Sequence, residues 1–102
     1  MFSRNDLLLL NTLKQGDYTI LVFNGHDIHL RSLLTGHEWI VVSPYDNSAC
    51  EIRHRHSMRD PFHIQPGRFS SLSASLSYII NHDKWWYEKM AKKNLRHLRK
   101  PL

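Results

Sequence analysis

The sequence predicts a single α+β domain in which a helix leads into a four-stranded antiparallel meander and two helices close the chain, in the order αββββαα. Leucines recur at helical spacing near the N-terminus. Four segments between residues 17 and 56 carry strand-type residues joined by short turns, and residues 70–100 return to helical periodicity. At 102 residues the chain has the size of one domain, read as residues 1–102, and its 41% hydrophobic content supports a packed core.

Ser3 or Asn5 caps the first helix, with Asp6 placed for a loose capping box. Leu7, Leu10 and Leu13 form its apolar stripe, Leu8 falls outside that stripe, and Gly16 closes the helix. Asp17 to Phe23 follows as a strand with Tyr18, Ile20 and Val22 on one face and Thr19, Leu21 and Phe23 on the other. Asn24-Gly25 is a strong hairpin signal, because both residues tolerate positive φ. The return strand, His26 to Ser32, alternates Ile28 and Leu30 inward with Asp27, His29 and Arg31 outward. Thr35-Gly36 turns the chain into Glu38–Ser43, and a loop at Pro44–Ser48 leads to the alternating segment Ala49–His56. Residues 57–69 hold Pro61, Pro66 and Gly67 and read as loop. Ser70 or Ser71 caps the next helix, Asn81-His82-Asp83 reads as a break with Asp83 as a new N-cap, and Lys84 to Lys100 forms the last helix.

Charge is unevenly distributed. Residues 1–52 hold three Lys or Arg against six Asp or Glu, while residues 53–102 hold eleven against three, for a formal net charge of +5. An asymmetry of this kind points to an anionic partner for one end of the fold. The lone cysteine, Cys50, forms no internal disulfide, no apolar run reaches membrane-spanning length, and the N-terminus lacks the pattern of a secretory signal. The expected setting is the cytoplasm, with no membrane partner.

Three constellations bear on chemistry. The last helix has an apolar stripe of Trp86, Tyr87, Met90, Ala91, Leu95 and Leu98, expected to be core. Its other side carries Lys89, Lys92, Lys93, Arg96, Arg99 and Lys100, with Trp85 in their midst. A tryptophan among cations stacks on a base or on a partner's side chain, or packs over the lysine stems. Arg53 and Arg55 alternate along a strand and present guanidinium forks suited to phosphate or carboxylate, or else defend an edge strand against aggregation. Cys50, His54, His56 and His63 combine a thiol with imidazoles, but their spacing departs from the tight ligand pairs of structural zinc sites. That face is read as the outer surface of the sheet, and no metal or other cofactor is expected.

No nucleophile motif, phosphate-cradling loop or carboxylate pair appears, so the chain is read as non-enzymatic. The remaining hydrolytic option is an acid–base set of His54 or His56 with Arg55 and Tyr45.

The segments Asn5-Asp6-Leu7, Asp17-Tyr18-Thr19-Ile20 and Glu38-Trp39-Ile40-Val41-Val42-Ser43, together with the order helix, meander, helices, resemble the small phage-borne anti-CRISPR proteins that inhibit the single-protein CRISPR nuclease. The resemblance covers residues 5–43. That family is strongly acidic and mimics DNA phosphates, whereas this chain is basic in its second half, so the mimicry does not carry over and no family binding residue is transferred. What the resemblance implies is a class, a compact blocker from a mobile element. The resulting expectation is a binding protein that docks on nucleic acid or a nucleic-acid-handling complex through Arg53, Arg55, Trp85, Lys89, Lys92, Lys93, Arg96 and Arg99. A plain DNA- or RNA-binding module is the alternative.

Overall fold

The computed structural model describes residues 2–14, 16–43 and 49–98, and side chains for these except at positions 14 and 95–98. The protein is α+β. Its elements run α1 (Arg4–Lys14), β1 (Tyr18–Phe23), β2 (Asp27–Ser32), β3 (Glu38–Val42), β4 (Glu51–Arg55), β5 (His63–Ile64) and α2 (Leu72–Leu98). The strands form one antiparallel sheet in the order β1-β2-β3-β4-β5.

Local sequence accounts for most of these boundaries. Ser3 and Asp6 exchange hydrogen bonds in a capping box at the start of α1, 2.8 and 3.1 Å long. Asn24 Oδ1 accepts from the backbone N–H groups of His26 and Asp27, and Gly25 takes a φ of 89°, which together turn β1 into β2. Ser71 Oγ accepts from the Ala74 N–H and caps α2.

Two elements differ from the sequence expectation. Residues 57–69 are not all loop: β5 pairs with β4 through Arg53↔Ile64 and His54↔His63, and the run is extended by a Cys50↔Phe69 bridge. Pro61 and Pro66 flank this two-residue strand, and their punctuation hides it in the sequence. The two expected C-terminal helices are one. Asp83 does not cap a new helix, because its carboxylate is occupied by tertiary partners and its backbone continues the α2 ladder through Asn81 and His82.

The β2–β3–β4 register places Ile28, Leu30, Trp39, Val41, Ile52 and His54 on one face, all buried. Helix α2 covers that face with Leu72, Leu76 and Ile79, and α1 adds Leu10 beside Tyr18. Burial of this apolar surface is the main stabilising term in so small a domain. The β1 register shifts between Ile20 and Val22. The extra residue turns Val22 to the opposite face, where it is 52% exposed, and brings Phe23 in line with Ile28, its ring 6.3 Å from that of Phe2. The strict alternation read along β1 therefore fails halfway.

The distal half of α2 departs further from expectation. None of Lys84–Asn94 is buried. Trp86, Met90 and Ala91 are half-buried, Tyr87 is exposed, and Leu95 and Leu98 have side chains outside the described residues. A helix of 27 residues is about 40 Å long, longer than strands of five or six residues can cover. No helix among the described residues is long and apolar enough to cross a membrane.

The contact that locks α2 to the sheet is polar. Asp83 is 1% exposed. Its Oδ2 accepts from the Tyr18 hydroxyl at 2.5 Å and its Oδ1 from Thr35 Oγ1 at 3.3 Å. Thr35 Oγ1 in turn accepts from the His37 N–H at 3.1 Å, so one carboxylate joins α2, β1 and the β2–β3 turn. Burial, followed by the hydrogen bond and charge of Asp83, holds the Tyr18 hydroxyl well above the usual phenol range, so it stays a donor.

Asp83→Ala leaves the buried Tyr18 hydroxyl and the half-buried Thr35 hydroxyl without this acceptor. The expected loss is about 3 kcal/mol of unfolding free energy in urea titrations, and a cycle with Tyr18→Phe should give a coupling of about 1.5–3 kcal/mol. An additive cycle would show that the contact carries no stability.

Candidate functional site

The solvent side of α2 is built by helical spacing alone. Trp85, Lys89, Lys92 and Arg96 follow one another at intervals of four, three and four residues, one line along the helix. That line faces away from Leu76 and Asp83, the buried edge of the same helix. Trp85 is 53% exposed, and Lys89 Nζ lies 5.0 Å from its ring centroid and 5.6 Å from that of Trp86. Lys84, Lys89, Lys92 and Lys93 are exposed, and among the described residues none of them is in an ion pair. The side chain of Arg96 and all of Arg99 lie outside the described residues, as does Tyr45 of the hydrolytic option.

Arg53 and Arg55 stand elsewhere. Alternation along β4 puts them on the outer face of the sheet while His54 points under α2. Arg55 Nε donates to Glu38 Oε2 at 2.9 Å, and Arg53 Nε to Glu51 Oε1 at 2.8 Å. Glu38 is only 2% exposed, and Arg31 and His29 also approach it, at 3.5 and 3.1 Å. The Arg55 guanidinium stacks 4.2 Å from the Phe62 ring centroid, which roofs the network. Burial opposes ionisation of Glu38, but the Arg55 hydrogen bond and the surrounding cations outweigh it and hold the carboxyl below its usual range. Arg53 and Arg55 therefore do not continue the line of α2.

The histidine face is an inner face, not the outer surface that its polarity suggested. The β3–β4 register sets Trp39 opposite His54, with rings stacked 3.8 Å apart. One step beyond the Glu38↔Arg55 pair, His37 and His56 stack at 4.3 Å with an interplanar angle of 8°. His37 Nδ1 and His54 Nε2 share a hydrogen bond of 3.0 Å. Trp86 of α2 closes the cluster against His37 and His56, at 5.1 and 4.6 Å, and His82 approaches His54 at 5.0 Å. Cys50 is buried at the other end of β4, where its backbone pairs with Phe69, and it does not join His54 and His56. His63 is exposed on β5.

Burial first, and then the neighbouring imidazoles, push His54 down to about 3 and His37 to about 4, with Asp83 acting in the opposite direction on His37. His82 is lowered for the same leading reason. At neutral pH these rings are uncharged, each offering one N–H and one lone pair.

Sequence reasoning missed His37 and His82 and took Trp86 for simple core. The signal for His37 was present: it sits one residue before a strand, and the hairpin register places it opposite His56. That register was not itself legible. No protein-family model, no curated protein and no solved structure matches this chain.

Arg55→Ala strips the closest cation from a buried carboxylate and should cost about 2–3 kcal/mol in chemical denaturation, less than a lone buried pair because Arg31 and His29 remain. Lys92→Ala should stay within about 0.5 kcal/mol. Equal effects would contradict the separation of the two sets.

The histidines predict acid sensitivity. Their folded pKa values lie below the unfolded value of about 6.5, so between the two the unfolded chain binds more protons. The stability present above pH 6.5 is then lost as pH falls toward 4. Urea midpoints in the presence of EDTA should fall between pH 7.5 and 5 by an amount equal to up to about 2 kcal/mol for each buried ring, and His54→Gln should flatten the profile.

Proposed function

We propose that this protein is a non-enzymatic docking module, an inhibitor or accessory protein of a mobile element, whose basic helix engages a nucleic-acid-handling complex such as a CRISPR effector. The observation that carries this reading is the exposed line of Trp85, Lys89 and Lys92 on α2, continued in sequence by Arg96, with no carboxylate paired to its lysines among the described residues. Lysines left unpaired on a helix that outruns its own sheet are free to neutralise phosphates and release their counterions. The ion pairs of Arg53 and Arg55 give those two residues a second role in holding the outer face.

A second reading, direct binding of single-stranded nucleic acid, is favoured by Trp85. The residue is about half exposed with its ring beside a cation, a stacking platform of the kind such modules use.

Fluorescence anisotropy with single-stranded and duplex DNA and RNA across a salt series separates the two. Direct binding should weaken steeply with salt, with each lost phosphate contact flattening the slope by about 0.7–0.9. Trp85→Ala should cost about 1–3 kcal/mol where a base stacks. Docking on a complex instead requires weak, unselective oligonucleotide binding together with tight binding to a purified, guide-loaded effector, abolished by Lys89→Glu/Lys92→Glu. A charge-reversed protein that binds every one of these targets as well as wild type overturns both readings.

A further inference from the structure

We propose that His37, His54 and His56 form a binding site for one Zn²⁺ ion, with the fourth coordination position open to solvent. One ring nitrogen from each of the three lies within 4.8 Å of the others. In a tetrahedral zinc site with Zn–N bonds of about 2.0–2.1 Å, ligand nitrogens stand about 3.3 Å apart. The His37 Nδ1 to His54 Nε2 distance, 3.0 Å, is already close to one such edge. His56 stacks on His37 with nearly parallel rings, so its lone pair reaches the same point only when the exposed His56 ring turns out of that stack; its centroid lies 5.0 Å from that of His54, within reach of such a turn.

The surroundings are those of a held ligand set. His54 lies flat on the Trp39 ring and Trp86 packs against His37, which holds these two buried imidazoles in place, while the exposed His56 ring, with Trp86 at its edge, is the one that turns. Outer contacts that fix ligand orientation are a regular part of metal sites. The His37 backbone is itself fixed by the Thr35–Asp83 chain of hydrogen bonds. His37 and His54 are buried while His56 is exposed, which gives the site one open side. There a cleft of about 200 Å³, lined by His56, Asp60, Pro61 and His63, leaves room for a water or small anion. His82 borders the set from α2, and its buried Nδ1 has no hydrogen-bond partner among the described residues.

The chemistry needs no other reactant. In the metal-free pair one neutral ring donates its N–H to the lone pair of the other. Binding requires that donor ring to take its other tautomer, its proton passing to the outward nitrogen, so that both rings present lone pairs to the ion. Three imidazoles without a thiolate are a donor set for Zn²⁺, and Co²⁺ serves as its spectroscopic substitute.

The test uses full-length protein without an affinity tag, freed of metal by chelator and titrated at pH 7.5 with Co²⁺ and then with Zn²⁺. The expected result is one equivalent bound, visible d–d bands of tetrahedral intensity for Co²⁺, and their loss on displacement by Zn²⁺. His56→Ala removes an exposed ligand and should leave the far-ultraviolet circular dichroism unchanged. It should weaken binding by at least about a hundredfold, since loss of an outer contact alone costs about 10- to 100-fold. His56→Cys should restore Co²⁺ binding and add a thiolate charge-transfer band, whereas His63→Ala should retain the wild-type stoichiometry and spectrum. Absence of stoichiometric binding in the wild type, binding that survives His56→Ala, or binding lost in His63→Ala overturns the proposal.

Discussion

A carboxylate buried beneath a 27-residue helix sets the phase in which that helix meets its sheet. Asp83 takes hydrogen bonds from Tyr18 on β1 and from Thr35 in the β2–β3 turn, and neither donor is its sequence neighbour. A helix held by apolar contacts alone tolerates small rotations, because dispersion contacts are individually weak and non-directional. A charge-assisted hydrogen bond to a fixed hydroxyl does not. With Asp83 pinned inward, His82 is aimed at His54 on β4 and Trp86 at His37 and His56, just outside the ends of β3 and β4, and Trp85, Lys89 and Lys92 are aimed at solvent. Both candidate sites thus follow from one rotational setting.

The sheet separates two kinds of polar chemistry by the pleat. On the outer face Glu38 draws Arg55, Arg31 and His29 into a charged network under Phe62. On the inner face, one residue away, the uncharged His54 imidazole stacks on the Trp39 indole. A carboxylate surrounded by guanidinium groups keeps its charge, while imidazoles removed from water beside other imidazoles lose theirs. Charge is in this way expelled from the side that α2 covers, apart from Asp83, and concentrated on the side that it does not.

The unequal lengths of helix and sheet explain why the distal part of α2 is available to a partner. Short strands cover only its first half, so cations beyond Asp83 meet water rather than internal carboxylates. The same geometry leaves Tyr87 exposed and Met90 half-buried, although their spacing is that of a core stripe. Periodicity records which side of a helix is apolar. It does not record how far the covering surface extends.

Much of the architecture was legible in the residues. Apolar strand-type runs marked β1 and β3 and period-two alternation marked β2 and β4, the Asn24-Gly25 hairpin and the Ser3–Asp6 cap follow from local chemistry, and Trp85 among lysines on a solvent-facing line needed only the helical repeat. These are short-range effects, settled within a few residues of the chain. The bulge after Ile20, the pairing of β5 behind Pro61, the continuity of α2 through Asp83 and the meeting of His37 with His54 and His56 are different in kind. Each depends on a partner many positions away: Tyr18 lies 65 residues from Asp83, and His37 lies 17 from His54. Sequence spacing fixed which side chains each element presents on each face. Strand register and helix phase, which only the assembled fold decides, determined which of those side chains meet.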